Sequence, residues 1–321
     1  MNRWGSPLLD LMHLFQNCAL CPRACGIDRF SGNRKGFCRE GAQLKVAYIG
    51  PHFGEEPPIT GTRGSGTVFF TGCSLQCTFC QNYQISMDGL GELIDTDILF
   101  GRVEKMVQIH AVHNINFVTP DHFFPYAFIL AGRLRKSGYH LPLIYNLSGY
   151  QSKQMLRLAD EHADIYLPDF KYSDKHLAKR LSGCEEYPDA ALAAISEMIR
   201  QKGFLDSFDN DSVLAMHGVL VRHLILPGYA ENSINALTTL FLEFGSRLPL
   251  SLMSQYAPVL FHNDIHLRRH LTHDEFDRVY THARTLGFEH LFVQFPGKGS
   301  DPARNKVSFV PDFGSEHPFS E

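Results

Sequence analysis

Long apolar runs are missing from this 321-residue sequence. A bilayer-spanning helix takes about 20 consecutive apolar residues, and no stretch comes near that, so a transmembrane span is excluded. The first apolar stretch, residues 8–15, is interrupted by Asp10 and His13. A secretory leader has an unbroken apolar core, so none is expected here. A charge excess is missing too. Thirty Lys and Arg stand against 34 Asp and Glu, giving a net charge of -4 and a pI near 6.5. No basic block rises above this background, and nucleic-acid binding has no electrostatic support. Cysteine is almost absent beyond residue 80, where only Cys184 occurs. The other seven fall between Cys18 and Cys80 in two tight groups. That clustering argues against a secreted disulfide scaffold and for a reducing cytoplasm, where thiols stay available to metal. What is present is ordinary: 44% hydrophobic and 20% charged residues, the balance of a globular protein. The length allows one large α/β barrel or two smaller domains.

The chain is organised around Thr71-Gly72-Cys73-Ser74-Leu75-Gln76-Cys77-Thr78-Phe79-Cys80-Gln81-Asn82. Its cysteines are spaced C-x3-C-x2-C. Just before it, Gly66-Thr67-Val68-Phe69-Phe70 is β-branched and aromatic and reads as a strand. The three thiols therefore lie on the loop leaving a buried strand. Crowded thiolates repel unless a cation gathers them. Soft sulfur selects zinc or an iron–sulfur cluster. A tetrahedral zinc site needs a fourth ligand, whereas three thiolates on a four-iron cube leave one iron free for a substrate or cofactor.

This segment resembles the cluster loop of radical S-adenosylmethionine (SAM) enzymes, including the aromatic Phe79 before the last cysteine. The flanks Gly54-Glu55-Glu56-Pro57, Gly64-Ser65-Gly66, Cys80-Gln81-Asn82-Tyr83 and Ile85-Ser86 resemble uncharacterised relatives of pyruvate formate-lyase activating enzyme. Upstream, Cys18, Cys21, Cys25 and Cys38 follow a C-x2-C-x3-C-x12-C pattern among Pro and Gly turns. Four thiolates make a complete set for structural zinc or a closed second cluster. A closed set implies a fold-stabilising or electron-relaying role. The resemblance extends to Cys-Pro-Arg and Gly-Phe-Cys here without choosing the metal.

Beyond the loop, helical and strand patterns alternate. Helices are expected at about 97–111, 123–136, 174–181 and 189–201. Strands are expected at 45–49, 115–118, 143–145, 164–167, 219–226, 250–255 and 291–294. Ser148 and Gln151 suggest a capping box for a helix to about residue 159. Asn232 is expected to cap a helix stopped by Gly245, and Thr272 with Glu275 one stopped by Gly287. Glycines at 61, 64 and 66 suggest a tight passage under the cluster loop, or backbone N–H groups aimed at an anion. Glu55 and Glu56 could face the active site, though paired acids read more often as a solvated turn or a structural salt bridge. His262, His266 and His270 read as a polar loop, and Cys184 as a small apolar residue. Repeated β-α units with apolar strands predict a parallel sheet covered by helices. About six units suit an open, partial (β/α)6 barrel, the fold that the resemblance also implies. Expected boundaries are a Cys-rich extension and bridging loop over 1–66, the barrel over 67–295 and an extended tail over 296–321.

In parallel barrels the chemistry sits at the C-terminal strand ends. There the sequence places Thr119-Pro120-Asp121, Asn146, Ser148, Asp169, Lys171, Arg222 and Gln255. Asn146, Ser148, Asp169, Lys171 and Arg222 suit a charged, hydroxyl-rich cofactor such as SAM, with Phe79 packing by the adenine or filling the loop. Activating enzymes often carry Gly-Gly-Glu where Thr119-Pro120-Asp121 stands. The resemblance implies that Cys73, Cys77 and Cys80 hold a [4Fe-4S] cluster and that SAM is cleaved reductively to a 5′-deoxyadenosyl radical. It implies an electron donor such as flavodoxin or ferredoxin, and a glycyl radical enzyme as partner. The alternatives are a radical SAM enzyme acting on a small molecule or another peptide, and a non-catalytic iron–sulfur or zinc protein.

Overall fold

The computed structural model describes residues 11–32, 36–208, 214–296 and 309–319. Among the described residues, ten strands and seven principal helices form an α/β barrel that does not close. The strands are β1 (Lys45–His52), β2 (Ser65–Phe70), β3 (Glu92–Leu93), β4 (Ile115–Val118), β5 (Leu143–Leu147), β6 (Ile165–Pro168), β7 (Gly218–Val219), β8 (Val221–Leu224), β9 (Leu250–Met253) and β10 (Leu291–Val293). The helices are α1 (Thr96–His110), α2 (Phe124–Lys136), α3 (Lys153–Ala159), α4 (Lys175–Ser182), α5 (Tyr187–Lys202), α6 (Ala230–Phe244) and α7 (His273–Leu286). Among the described residues, no helix is long and apolar enough to cross a membrane.

One sheet runs β3-β1-β2-β4-β5-β6-β7 and a second runs β10-β9-β8. A parallel bridge between Asp169 and Arg222 joins them, so β7 and β8 act as one strand interrupted at Leu220. From β2 to β10 every pairing is parallel, while β1 and β3 add an antiparallel flap at the β2 edge. Parallel strands are covered on both faces and so read as continuous apolar runs. Every residue of β2, β4 and β6 is buried. The predicted strand over 219–226 is shorter and broken at Leu220, where the chain passes from β6, through Leu220 N to Tyr166 O at 3.1 Å, to the β9 side, through Val221 N to Pro249 O at 3.0 Å.

Several helix starts differ from the sequence reading. α3 is capped by Ser152, whose side chain accepts from the Met155 amide, not by Ser148. Gly149 turns the chain at φ +81°, and Ser148 and Gln151 both reach Asp121 instead. α6 starts at Ala230 after Tyr229. Asn232 lies in its first turn, and its Oδ1 accepts from the amides of Ser173 and Asp174 at 3.0 and 3.3 Å. The Thr272–Glu275 capping box is present on α7, with Gly287 at its C-terminal end. The glycine-rich loop lies at the N-terminal end of β2, away from the cysteines. The amides of Thr62 and Arg63 donate to His113 Nε2, each at 3.1 Å, rather than to an anion.

Candidate functional site

The loop leaving β2 carries Cys73, Cys77 and Cys80 as free thiols, the first two buried and the third half-buried. Its backbone is fixed from several sides. The Thr78 amide donates to the Leu181 carbonyl at 2.8 Å, and Gly72 N to Ile85 O at 2.9 Å. Hydrogen-bond donors also point at the sulfurs: Leu75 N at Cys73 (3.4 Å), Ser182 Oγ at Cys77 (3.0 Å) and Ser86 Oγ at Cys80 (3.3 Å). Burial, with Cys77 and Cys80 nearby, pushes the Cys73 thiol far above its usual range. A thiol as dry as Cys73 stays protonated unless a cation neutralises it. Among the described residues, no three His, Cys, Asp or Glu side chains converge as a site for one metal ion. The thiols are soft and three in number. That donor set fits a cluster, which spreads its ligands over several irons.

The thiols open on a cavity of about 250 Å³. Cys73, Cys77, Phe79, Cys80, Asn146, Ser148, Asp169, Lys171 and Arg222 all line it, with Thr119 and Gln255, so the fold brings most of the residues expected at the strand ends to one place; Pro120 and Asp121 are not among them. Their engagements differ. Asn146 is half-buried in the wall. Ser148 Oγ donates to Asp121 Oδ1 at 2.9 Å. Lys171 Nζ and Asp169 Oδ2 form an ion pair at 2.5 Å. Burial opposes the Lys171 charge, but Asp169 and the nearby Cys77 sulfur outweigh it and hold this lysine protonated. Arg222 is engaged from another side. Its Nε donates to Glu56 Oε1 at 3.0 Å and its NH2 to Glu55 Oε2 at 2.5 Å, with a further contact to Glu56 Oε2. Glu55 and Glu56 thus form a buried salt bridge on the cavity wall. Phe79 packs edge-on against Tyr172 with centroids 6.3 Å apart, filling the loop interior while still facing the cavity.

At the end of β4, Thr119 lines the cavity at φ +53°. A β-branched residue there is an outlier, of the kind that gathers at functional sites. Asp121 lies behind it, fully buried. Burial pushes its carboxyl up to about 6 against the bonds from Ser148 and Gln151, and its Oδ2 has no partner.

The first cysteine group lies outside the cavity, behind the loop. Cys18, Cys21 and Cys38 are buried and Cys25 is exposed. Burial is the main cause that pushes Cys21 up to about 12, with Cys38 and Cys18 adding to it. The segment presses on the second group: a Cβ at Gly72 would lie 2.5 Å from Glu40 Cγ and 2.9 Å from the Cys38 carbonyl.

Two contributors were not expected. His52, at the end of β1, lines the cavity beside Glu55. Residues 309–319 are not simply an extended tail: they fold back and supply Phe309, Pro311 and Phe319 to the wall. Phe313 is buried against Phe69 with centroids 5.3 Å apart, and Phe319 lies 4.2 Å from the His52 ring. Gln81 Nε2 ties both sides of the gap, donating to Gln255 O at 2.9 Å and Phe309 O at 3.2 Å. Three phenylalanines at 309, 313 and 319 in an otherwise polar stretch were the available signal. Among the His of 262–270, His262 bonds Thr78 Oγ1 at 2.8 Å, and Cys184 is fully buried.

No family model matches this chain. It is 26% identical over 303 residues to the uncharacterized protein MJ0674 of Methanocaldococcus jannaschii, covering 89% of this chain and 81% of that one. Among solved structures it is similar to Streptococcus suis SuiB bound to S-adenosylmethionine, with a TM-score of 0.46, 11% identity and 74% of this chain covered. It is also similar to HydG, a maturase of the [FeFe]-hydrogenase, with a TM-score of 0.48, 10% identity and 71% covered. The matches span 51% of SuiB and 50% of HydG, about half the length of either. The barrel described here stands on its own strand order, and the site on the residues that this order brings together.

Proposed function

We propose that this protein is a radical SAM enzyme whose cluster is held by Cys73, Cys77 and Cys80. The observation that carries the reading is a three-thiol loop, with no fourth protein ligand among the described residues, opening on a cavity at the C-terminal mouth of a parallel barrel. Bound there, a [4Fe-4S] cluster and SAM supply one-electron reductive cleavage of the sulfonium to methionine and a 5′-deoxyadenosyl radical. The protein supplies position and dryness. Ser182, Ser86 and the Leu75 amide lower the electron density on the sulfurs. Lys171 brings a positive charge to the thiol end, and Asp169 fixes its direction. Asn146, Ser148 and Phe79 offer amide, hydroxyl and aromatic surface to a nucleoside. A small electron donor such as flavodoxin or ferredoxin supplies the electron.

A small-molecule substrate is favoured over a glycine loop of a partner enzyme. Residues 309–319 fold over the open side of the barrel and supply Phe309, Pro311 and Phe319 to the cavity wall, which narrows the way in for a peptide. The first cysteine group is read as a separate closed metal site, zinc or a second cluster. Anaerobic reconstitution with iron, sulfide, SAM and dithionite tests the central claim. 5′-Deoxyadenosine and methionine should form with the wild type and not with Cys77→Ala; their absence with the wild type overturns it. Metal and sulfide counts on the Cys73/Cys77/Cys80 triple alanine variant then report what the first group holds.

A further inference from the structure

The two ends of the cavity differ in charge balance. At the thiol end, Asp169 and Lys171 balance each other. At the other end Glu55, Glu56 and Arg222 do not. All three side chains are 8% exposed, and two carboxylates face one guanidinium. The remaining titratable neighbour, His52, is no substitute, because burial pulls its pKa down and leaves it neutral. Burial opposes ionisation of Glu55, but Arg222, with a hydrogen bond from Asn116, holds its carboxyl below the usual range. The trio is therefore one positive charge short in a place where water does little to compensate.

A second observation points the same way. Asn116 is fully buried. Its Nδ2 donates to Glu55 Oε1 at 3.0 Å, which fixes the amide beside the carboxylates. Its Oδ1 has no hydrogen-bond partner, and neither does His52 Nδ1. Buried acceptors are rarely left open unless something fills them. An open acceptor, Asn116 Oδ1, thus lies on the amide that touches Glu55, next to carboxylates that are short of positive charge. A metal ion does not fit, since among the described residues no three such side chains form a metal-holding group, and the Arg222 guanidinium would repel one.

We infer that this end of the cavity receives a cationic group of the substrate, a primary ammonium or a guanidinium, seated on Glu55 and Glu56. It is distinct from the place proposed for SAM. Asn116 pairs with Thr67, three residues before the end of β2, which puts it roughly 10 Å deeper than the cysteine loop at about 3.3 Å per residue. Calling this ligand a substrate rests on the radical enzyme reading; the cation site itself does not.

The test uses reconstituted protein with SAM and no reductant. n-Butylamine and n-butylguanidine are the probes, and n-butanol and butyrate the controls, read by ligand-observed NMR and melting temperature. The expected result is at least tenfold tighter binding of the two cations than of butanol, no binding of butyrate, and loss of the preference in Glu56→Gln. Equal binding of cation and alcohol by the wild type overturns the inference, and so does a preference that survives in both Glu55→Gln and Glu56→Gln. If either variant fails to fold, the wild-type comparison decides alone. Formation of 5′-deoxyadenosine without a cation preference removes this inference and leaves the radical reading standing; a preference without 5′-deoxyadenosine does the reverse.

Discussion

Arg23 Nε donates to the Ser74 carbonyl at 3.1 Å, tying the first cysteine group to the second. The same guanidinium donates to Gly183 O at 2.6 Å and Ser182 O at 2.7 Å, and lies 3.7 Å over the Phe37 ring. Ser182 in turn donates to the Cys77 sulfur. One side chain between Cys21 and Cys25 thus braces the loop that carries the thiols and the residue that tunes one of them. Whatever holds the first group in shape also holds the second.

Replacing Arg23 with methionine keeps the stem and removes all the donors. Hydrogen bonds to charged groups contribute ~1.5–3 kcal/mol each when buried; these are partly exposed, so a loss of about 2 kcal/mol is expected. Iron bound per chain after reconstitution should fall as well. Lysine should not restore it, because a point charge cannot serve three carbonyls in a fork. Chemical denaturation and iron assay check both; unchanged iron content in Arg23→Met would show that the brace is irrelevant to the loop.

Gly149 makes a sharper claim. A Cβ there would lie 2.0 Å from the Asp169 carbonyl and 2.8 Å from the Tyr187 hydroxyl, at φ +81°. Neither contact can yield without moving the ends of β5 and β6, which carry Ser148 and Asp169. Gly149→Ala should cost ~3 kcal/mol or more, and a melting curve within a degree of wild type would refute the packing.

Local residue chemistry predicted much of this fold and site. Apolar strands, the capping box at Thr272 and the glycine stops at Gly245 and Gly287 are set by near neighbours, and near neighbours are visible in sequence. Most of the strand-end residues converged on one cavity because parallel topology allows little else. What was hidden depends on distant partners. Asn232 looks like a cap and instead serves the amides of Ser173 and Asp174. Ser148 and Gln151 look like a box and instead meet at Asp121. Glu55 and Glu56 sit 166 or more residues from the arginine that buries them. The fold-back of 309–319 rests on rings meeting Phe69 and His52, which no local pattern encodes.

Helix α7 offers a test of electrostatics remote from the cavity. Glu275 closes the capping box with Thr272 and pairs with Arg269 at 2.8 Å. The Arg269 bond, against partial burial, lowers its carboxyl to about 2. A carboxyl depressed on folding stabilises above its unfolded value, and that stability is lost as pH falls through the folded one. Glu275→Gln should therefore be less stable than wild type at pH 7 by ~1 kcal/mol, the typical worth of a cap. The gap should close between about pH 4.5 and pH 2. Urea titrations across that range check it, and a constant gap would mean that the charge contributes nothing.

His223 makes the opposite kind of prediction. It is fully buried on β8, with Nδ1 2.6 Å from the Phe170 carbonyl and Nε2 2.9 Å from Ser233 Oγ. A carbonyl only accepts, so Nδ1 carries the proton and Nε2 accepts from the serine. Burial, with Lys171 adding to it, pulls the pKa down to about 4 against the pull of Phe170 and Asp169. Between about pH 6.5 and pH 4 the unfolded chain then binds a proton that the folded chain refuses, so stability falls as pH drops through that window. The full loss is at most about 3 kcal/mol by the free energy of a pKa difference. Phe170 lies between Asp169 and Lys171, so acid should loosen the pair that faces the thiols before it unfolds the barrel. His223→Gln keeps a donor and an acceptor and has nothing to titrate, so its stability should be flatter over the same window. If the wild-type and variant slopes coincide, the ring is not held neutral, and another group drives any acid sensitivity of this barrel.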